Sequence, residues 1–134
     1  NRGCLETYAG SEIIRDRLAA ATGRRLSFRA FCELAERAPV PEMDGVFTDM
    51  TEALACALTS AVNLLNSEAV ILGHDGYFLP ERYLKLLETR INAQKLSGDY
   101  RHVRAVRSGF RNEAHIRGCP CVILNRVFDG TMRI

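Results

Sequence analysis

Asn66-Ser67-Glu68-Ala69-Val70-Ile71-Leu72-Gly73-His74-Asp75-Gly76 is the stretch on which the fold turns. Asn66 and Ser67 are turn residues that end the apolar helix before them. Ala69 to Leu72 is then a continuous apolar run of the kind a strand covered on both faces requires. Gly73-His74-Asp75-Gly76 forms a loop at the carboxyl end of that strand. Pro80 suits the first turn of the next helix, whose Tyr83, Leu84, Leu87 and Ile91 recur at helical spacing until Ser97-Gly98-Asp99. A second strand is expected from His102 to Val106, before Ser108-Gly109, and a last helix from Glu113 to Phe128 with Pro120 near its start. Strand, helix, strand and helix in this order make an α/β lobe with a short parallel strand pair.

Upstream of that stretch the pattern is helical. Val46 to Leu65 reads as the strongest helix, with Phe47, Met50, Leu54, Ala57, Leu58, Ala61 and Leu65 on one face and Ala53, Ala55, Val62 and Leu64 widening it. So apolar a helix belongs in the middle of a fold. Pro39-Val40-Pro41-Glu42-Met43-Asp44-Gly45 reads as an ordered connection before it. Earlier still, Phe28, Phe31, Cys32 and Ala35 form an apolar stripe behind Ser27 as N-cap, and Gly23 closes the preceding segment. That segment carries Ile13, Ile14 and Leu18 behind Ser11 as cap, so the first helix bends or restarts at Gly10-Ser11.

The chain opens on Asn1-Arg2-Gly3-Cys4-Leu5-Glu6-Thr7-Tyr8. Gly3 frees the backbone for a tight turn, Cys4 can present a thiolate to a metal, and Glu6 falls in a first helical turn. One cysteine does not make a tetrahedral zinc site, and a first-turn Glu by itself is a favourable helix charge. Composition is that of an ordinary soluble globular domain, with 134 residues, 47% hydrophobic, 25% charged and a net charge of +2. Residues 1–134 fit a single domain. No apolar run approaches the roughly 18 residues of a membrane helix, and no basic-then-apolar leader opens the chain, so a cytoplasmic protein without membrane contact is expected. The five cysteines are an odd set, which speaks against a disulfide framework.

Three stretches resemble the ROK family of repressors and sugar kinases, within the hexokinase/actin-like superfamily. Asn1 to Ala9 is similar to the second half of the signature C-x-C-G-x-x-G-C-x-E. Val62-Asn63-Leu64-Leu65-Asn66-Ser67-Glu68 through Ile71-Leu72-Gly73 is similar to N-L-x-N-P-x-x-I-x-L-G-G. Asn112-Glu113-Ala114-His115-Ile116-Arg117-Gly118-Cys119 is similar to the final G-x-x-A-x-x-x-G-A-A helix. The sequence departs from these patterns at Ser67, where proline is usual, at His74, where the nucleotide loop has a second glycine, and at Cys119 and Pro120, where small alanines are usual.

The resemblance implies the C-terminal part of a ribonuclease H-like (actin-like ATPase) lobe, with antiparallel strands preceding Asn1. It also implies two further zinc cysteines, a zinc histidine and a sugar-binding E-x-G-H segment upstream. Zinc is therefore expected in the parent protein, with Cys4 as one ligand of a site that is incomplete in this chain. Glu6 is expected to accept hydrogen bonds from a sugar hydroxyl, at the anomeric end. Gly73 and His74 fall on the family's nucleotide loop, where the imidazole stands in the place of ATP and argues against a working kinase. The whole protein would be a sugar-responsive repressor of the xylose- or N-acetylglucosamine-responsive kind. Its partners would be a sugar or sugar-phosphate effector, further copies of itself in a homo-oligomer, and operator DNA bound by an N-terminal helix-turn-helix domain outside this chain. The alternative is an ATP-dependent sugar kinase of the same family, and a third reading is a ligand-free structural or oligomerisation lobe.

Other candidates have plainer readings. Arg101, Arg104, Arg107, Arg111 and Arg117 form a basic stretch without a recognition-helix pattern, and a solvated edge accounts for them. Cys119-Pro120-Cys121 is a bare C-x-C explained by helix packing. His102 and His115 have no Ser, Cys or acidic partner at a telling spacing.

Overall fold

The computed structural model describes residues 3–111 and 113–129; Asn1, Arg2 and Asn112, which belong to the motifs quoted above, lie outside the described residues. Helices α1 (Leu5–Ala9), α2 (Ser11–Thr22), α3 (Phe28–Arg37) and α4 (Pro41–Leu65) precede strand β1 (Ala69–Leu72), a 3-10 turn (His74–Phe78) and α5 (Glu81–Gln94). A second 3-10 turn (Gly98–Tyr100), strand β2 (Arg104–Arg107) and α6 (Ala114–Phe128) complete the order. The strands pair in parallel, with Ala69 opposite Arg104 and Leu72 opposite Arg107.

Local signals explain most boundaries. Gly10 stands extended between α1 and α2 and breaks them apart; it, rather than Ser11, is the N-cap of α2. Gly23 closes α2 in the left-handed region at φ 68°. The Ser27 hydroxyl accepts the Ala30 N–H at 3.2 Å and caps α3.

Helix α4 starts earlier than its sequence suggests, at Pro41 instead of Val46, and runs 25 residues. The physical reason is that a proline at the first helical position forgoes only a donor that has no partner there, while Glu42 and Asp44 suit the positive helix end. The buried face of α4 is Met43, Phe47, Met50, Thr51, Ala55, Thr59 and Val62. It is rotated from the expected face, and Leu64 and Leu65 are exposed at the helix end.

Ile14, Leu18, Phe31, Met43, Phe47, Leu79 and Tyr83 form one core cluster, and Ala55, Val62, Leu87, Ile91 and Val103 form a second. Leu54 and Leu72 pack against both and join them. Phe47 stacks on Tyr83 at 4.9 Å, and the Tyr83 hydroxyl donates to Asp44 Oδ1 at 2.7 Å, so α4 and α5 are tied by an apolar and a polar contact side by side.

Strand β1 is not covered on both faces: Ile71 is 67% exposed. Strand β2 begins two residues later than expected, at Arg104, because α5 side chains hold what precedes it. Asn92 Nδ2 donates to Val103 O at 2.7 Å while Asn92 Oδ1 accepts the Val103 N–H at 2.9 Å. Glu88 accepts the Ala105 N–H at 2.7 Å and stands 2.9 Å from His102 Nε2. The outer edge of β2 is thus occupied by carboxylate and amide groups of α5.

The basic stretch is not simply a solvated edge. Arg101 donates to Asn66 O at 2.7 Å, and Arg107 reaches Tyr77 O at 3.1 Å, Leu79 O at 2.8 Å and Glu81 Oε2 at 2.7 Å. These arginines pin loops. Helix α6 forms with Pro120 inside it and exposes Ile116, Val122, Ile123, Leu124 and Phe128. Among the described residues no helix is long and apolar enough to cross a membrane.

Candidate functional site: a cleft between α1 and the loop after β1

Cys4 is the extended residue before α1, exposed, with its carbonyl accepting the Thr7 N–H at 3.0 Å. Gly3 before it turns the chain at φ 108°, a conformation for which glycine is suited. Glu6 lies in the first turn of α1, and Gly10 crowds it. The Gly10 N–H donates to Glu6 O at 2.8 Å, and a Cβ on Gly10 would lie 2.5 Å from that oxygen.

Glu6 also lines a cleft of about 370 Å³ whose opposite wall is Gly73, His74, Asp75 and Gly76. Gly10 and Ser11 extend the first wall. Phe28, Met50, Leu54, Leu72 and Leu79 make its apolar lining. A second depression, lined by Cys4, Thr7 and Gly10 to Ile13, shares Glu6, which therefore lies between the two.

The loop wall is built by the strand pair and by Arg107. Ser108 N–H donates to Leu72 O at 2.8 Å, which fixes where β1 ends, and the Arg107 guanidinium holds Tyr77 and Leu79 from below the 3-10 turn. His74 takes φ 49°, the left-handed region that favours glycine. The backbone of a glycine loop is therefore kept while the side chain is an imidazole, 72% exposed, with Nδ1 3.5 Å from Asp75 Oδ1.

Among the described residues, the charged ones that line the cleft are Glu6 and Asp75. The nearby Cys32 thiol is pushed up to about 12, first by burial and then by the negative charges of Asp75, Glu33 and Glu36. It stays protonated and is a core group, not a nucleophile.

The structure brings Glu6 together with Gly73 and His74, which lie far apart in sequence. It does not bring Cys4 together with a metal-binding set. Among the described residues no three His, Cys, Asp or Glu side chains are grouped to hold a metal, and Cys4 is one donor of the four a structural zinc takes. Cys119 and Cys121 lie exposed in α6. Sequence reasoning missed Gly10, Phe28, Met50, Leu54 and Leu79 as parts of the site, because apolar residues at helical spacing read as core and a glycine between two helices reads as a break.

The chain is 22% identical, over 93% of its length, to a protein of Caldicellulosiruptor sp. (strain Rt8B.4) provisionally named a xylose repressor, and spans 34% of that protein. It also superposes on the crystal structure of a ROK family transcriptional regulator, a homologue of the E. coli MLC protein. That match has a TM-score of 0.68 and 26% identity, covering 80% of this chain and 29% of the other. The chain thus spans about a third of the length of these relatives. The family model that describes the ROK family matches residues 1–125, and the chain accordingly belongs to the ROK family.

Proposed function

We propose that this chain forms part of the effector-binding and oligomerisation domain of a sugar-responsive transcriptional repressor. The observation that carries the reading is the shared cleft of Glu6 and the Gly73 to Gly76 loop, in a member of a family whose similar proteins are named a repressor and a transcriptional regulator. Glu6 accepts hydrogen bonds from sugar hydroxyls, the apolar lining receives the C–H face of the ring, and the loop after β1 supplies the facing wall. A ligand that touches both walls favours the arrangement in which they stand closest. That differential affinity shifts the protein between a state that holds operator DNA and one that releases it. DNA is bound by a helix-turn-helix domain outside these residues, in the cytoplasm, by a homo-oligomer in which the apolar side chains exposed on α6 are covered.

Cys4 serves as one ligand of a zinc ion whose other ligands lie outside the described residues. Zinc there has a structural role, fixing the start of α1 and with it Glu6.

The test is retention of operator DNA by the full-length protein, measured by mobility shift while sugars are titrated in. At least one sugar is expected to release the DNA. Glu6→Gln keeps the shape but loses the charge, so its sugar affinity should fall by about 1.5 to 3 kcal/mol. Release by no sugar, or an unchanged affinity in Glu6→Gln, would overturn the proposal.

One observation favours a second reading, an ATP-dependent sugar kinase: the backbone at His74 keeps the glycine conformation of a nucleotide loop. Formation of sugar phosphate from ATP by the full-length protein would decide for it.

A further inference from the structure

We infer that the end of the molecule opposite the cleft is a contact between two copies of this protein, built on Leu64, Leu65, Leu96 and Tyr100 and related by a two-fold axis. The inference rests on the reading of the chain as part of an oligomerisation domain. It adds a surface, separate from α6, and its symmetry. Three observations carry it.

The first is a group of exposed apolar side chains on pinned backbone. Leu64 and Leu65 end α4 at 84% and 71% exposure, and Leu96 and Tyr100, which follow α5, are 86% and 99% exposed. The Leu96 N–H donates to Asn63 Oδ1 at 2.9 Å, and Arg101 donates to Asn66 O at 2.7 Å. The loop after α5 therefore lies against the end of α4, and the four residues come to one end of the molecule. A single exposed Leu is ordinary, whereas a cluster of large apolar side chains on a surface marks a place where another surface docks. The loop is also held from within. Lys95, itself buried, donates from Nζ to Asn92 O at 3.1 Å and to Gly98 O at 2.5 Å. A lysine buried to fix a loop that turns a Leu and a Tyr outward leaves little backbone freedom to lose on association.

The second is position. Leu65 is followed, after Asn66 to Glu68, by β1, and Tyr100, after Arg101 to Val103, by β2. The patch thus stands at the amino ends of both strands, while the Gly73 to Gly76 wall of the cleft stands at the carboxyl end of β1. Between Ala69 and Leu72 alone the strand separates them by about 10 Å. An element seated on the cleft does not reach the patch.

The third is charge. Asp99 and Arg101 flank Tyr100 with opposite signs. Arg101 gives one N–H to Asn66 O, which fixes its place, and a guanidinium has further donors for a carboxylate. A two-fold axis at Tyr100 sets Asp99 of each copy toward Arg101 of the other. A surface that carries both signs in this way is complementary to itself, as a contact between identical patches requires, while a partner of one sign meets a like charge.

The experiment is sedimentation of the full-length protein over a concentration series. Association is expected, and Leu96→Ser and Tyr100→Ser should each raise its dissociation constant by at least about tenfold. Circular dichroism should stay unchanged, since both side chains are exposed. Asp99→Arg should also weaken association, and adding Arg101→Asp to it should recover most of the loss. Absence of that recovery overturns the two-fold pairing. Association untouched by Leu96→Ser and Tyr100→Ser overturns the surface and leaves the oligomerisation reading standing, whereas a protein that is monomeric throughout overturns both. A melting temperature lowered by Tyr100→Ser with association unchanged also overturns the inference, because another segment of the same chain then covers the patch.

Discussion

Gly10 and Glu6 are in the closest approach that shapes the cleft: a Cβ on Gly10 would stand 2.5 Å from the Glu6 carbonyl oxygen and 3.1 Å from Glu6 Cγ. The obstacle is backbone, so Gly10→Ala must move α1 against α2. Overpacking of this kind costs about 1 to 3 kcal/mol, and Glu6 shifts with it. Gly10→Ala should therefore lower both the stability and the sugar affinity of the full-length protein, read by chemical denaturation and calorimetry. Gly45→Ala is the control. Nothing lies within 4 Å of its added Cβ, and in helix α4 alanine should stabilise by about 0.5 to 1 kcal/mol. Equal behaviour of the two variants would refute the account.

Glu88 gives a dependence on pH. Its burial works to raise its pKa, but the hydrogen bonds from the Ala105 N–H and His102 outweigh that, and the carboxyl ends below its ordinary value. A lowered folded-state value means that the stabilisation is fully present above the ordinary carboxyl range and is lost as pH falls through the folded value. Melting curves taken from neutral into acid should show Glu88→Gln less sensitive to acid than the parent sequence, and less stable than it by about 1 kcal/mol at neutral pH. Parallel curves would count against Glu88 as the titrating group.

Arg107→Ala removes three contacts at once, to Tyr77 O, Leu79 O and Glu81 Oε2. With its side chain 30% exposed, a loss of about 2 to 4 kcal/mol is expected. Hydrogen exchange should rise from Tyr77 to Glu81, next to the cleft. An unchanged exchange pattern there would show that the strand pair alone holds the loop.

Cys4→Ser should abolish zinc in the full-length protein, where metal analysis is expected to find about one ion per chain. Cys56, exposed on α4, supplies the comparison, and Cys56→Ser should keep the metal. Zinc content unaffected by Cys4→Ser would remove Cys4 from the site.

Much of the fold was legible because its signals act within one or two helical turns. Ser27 caps α3 and Gly23 and Asn66 close their helices in the left-handed region as turn residues do. Tyr83, Leu84, Leu87 and Ile91 are buried at the spacing that marked them. The parallel pairing followed from element order alone. The start of α4 was misjudged because a proline read as a break is equally a helix-starting residue, and which role it takes depends on whether the next turn has something to pack against. Met43 and Phe47, fully buried against the first core cluster, supplied it.

By itself the sequence determined the order of the main helices and strands, the family-like opening motif and the bare fact that position 74 departs from glycine, because periodicity, capping and residue identity are local properties. Only the tertiary structure decided which face of α4 is buried, that Arg107 is a clasp and not a free cation, and that Glu6 meets His74 and Asp75 across one apolar cleft. Those depend on contacts between residues distant in the chain, whose partners are chosen by the packing of whole helices and not by any spacing along the sequence.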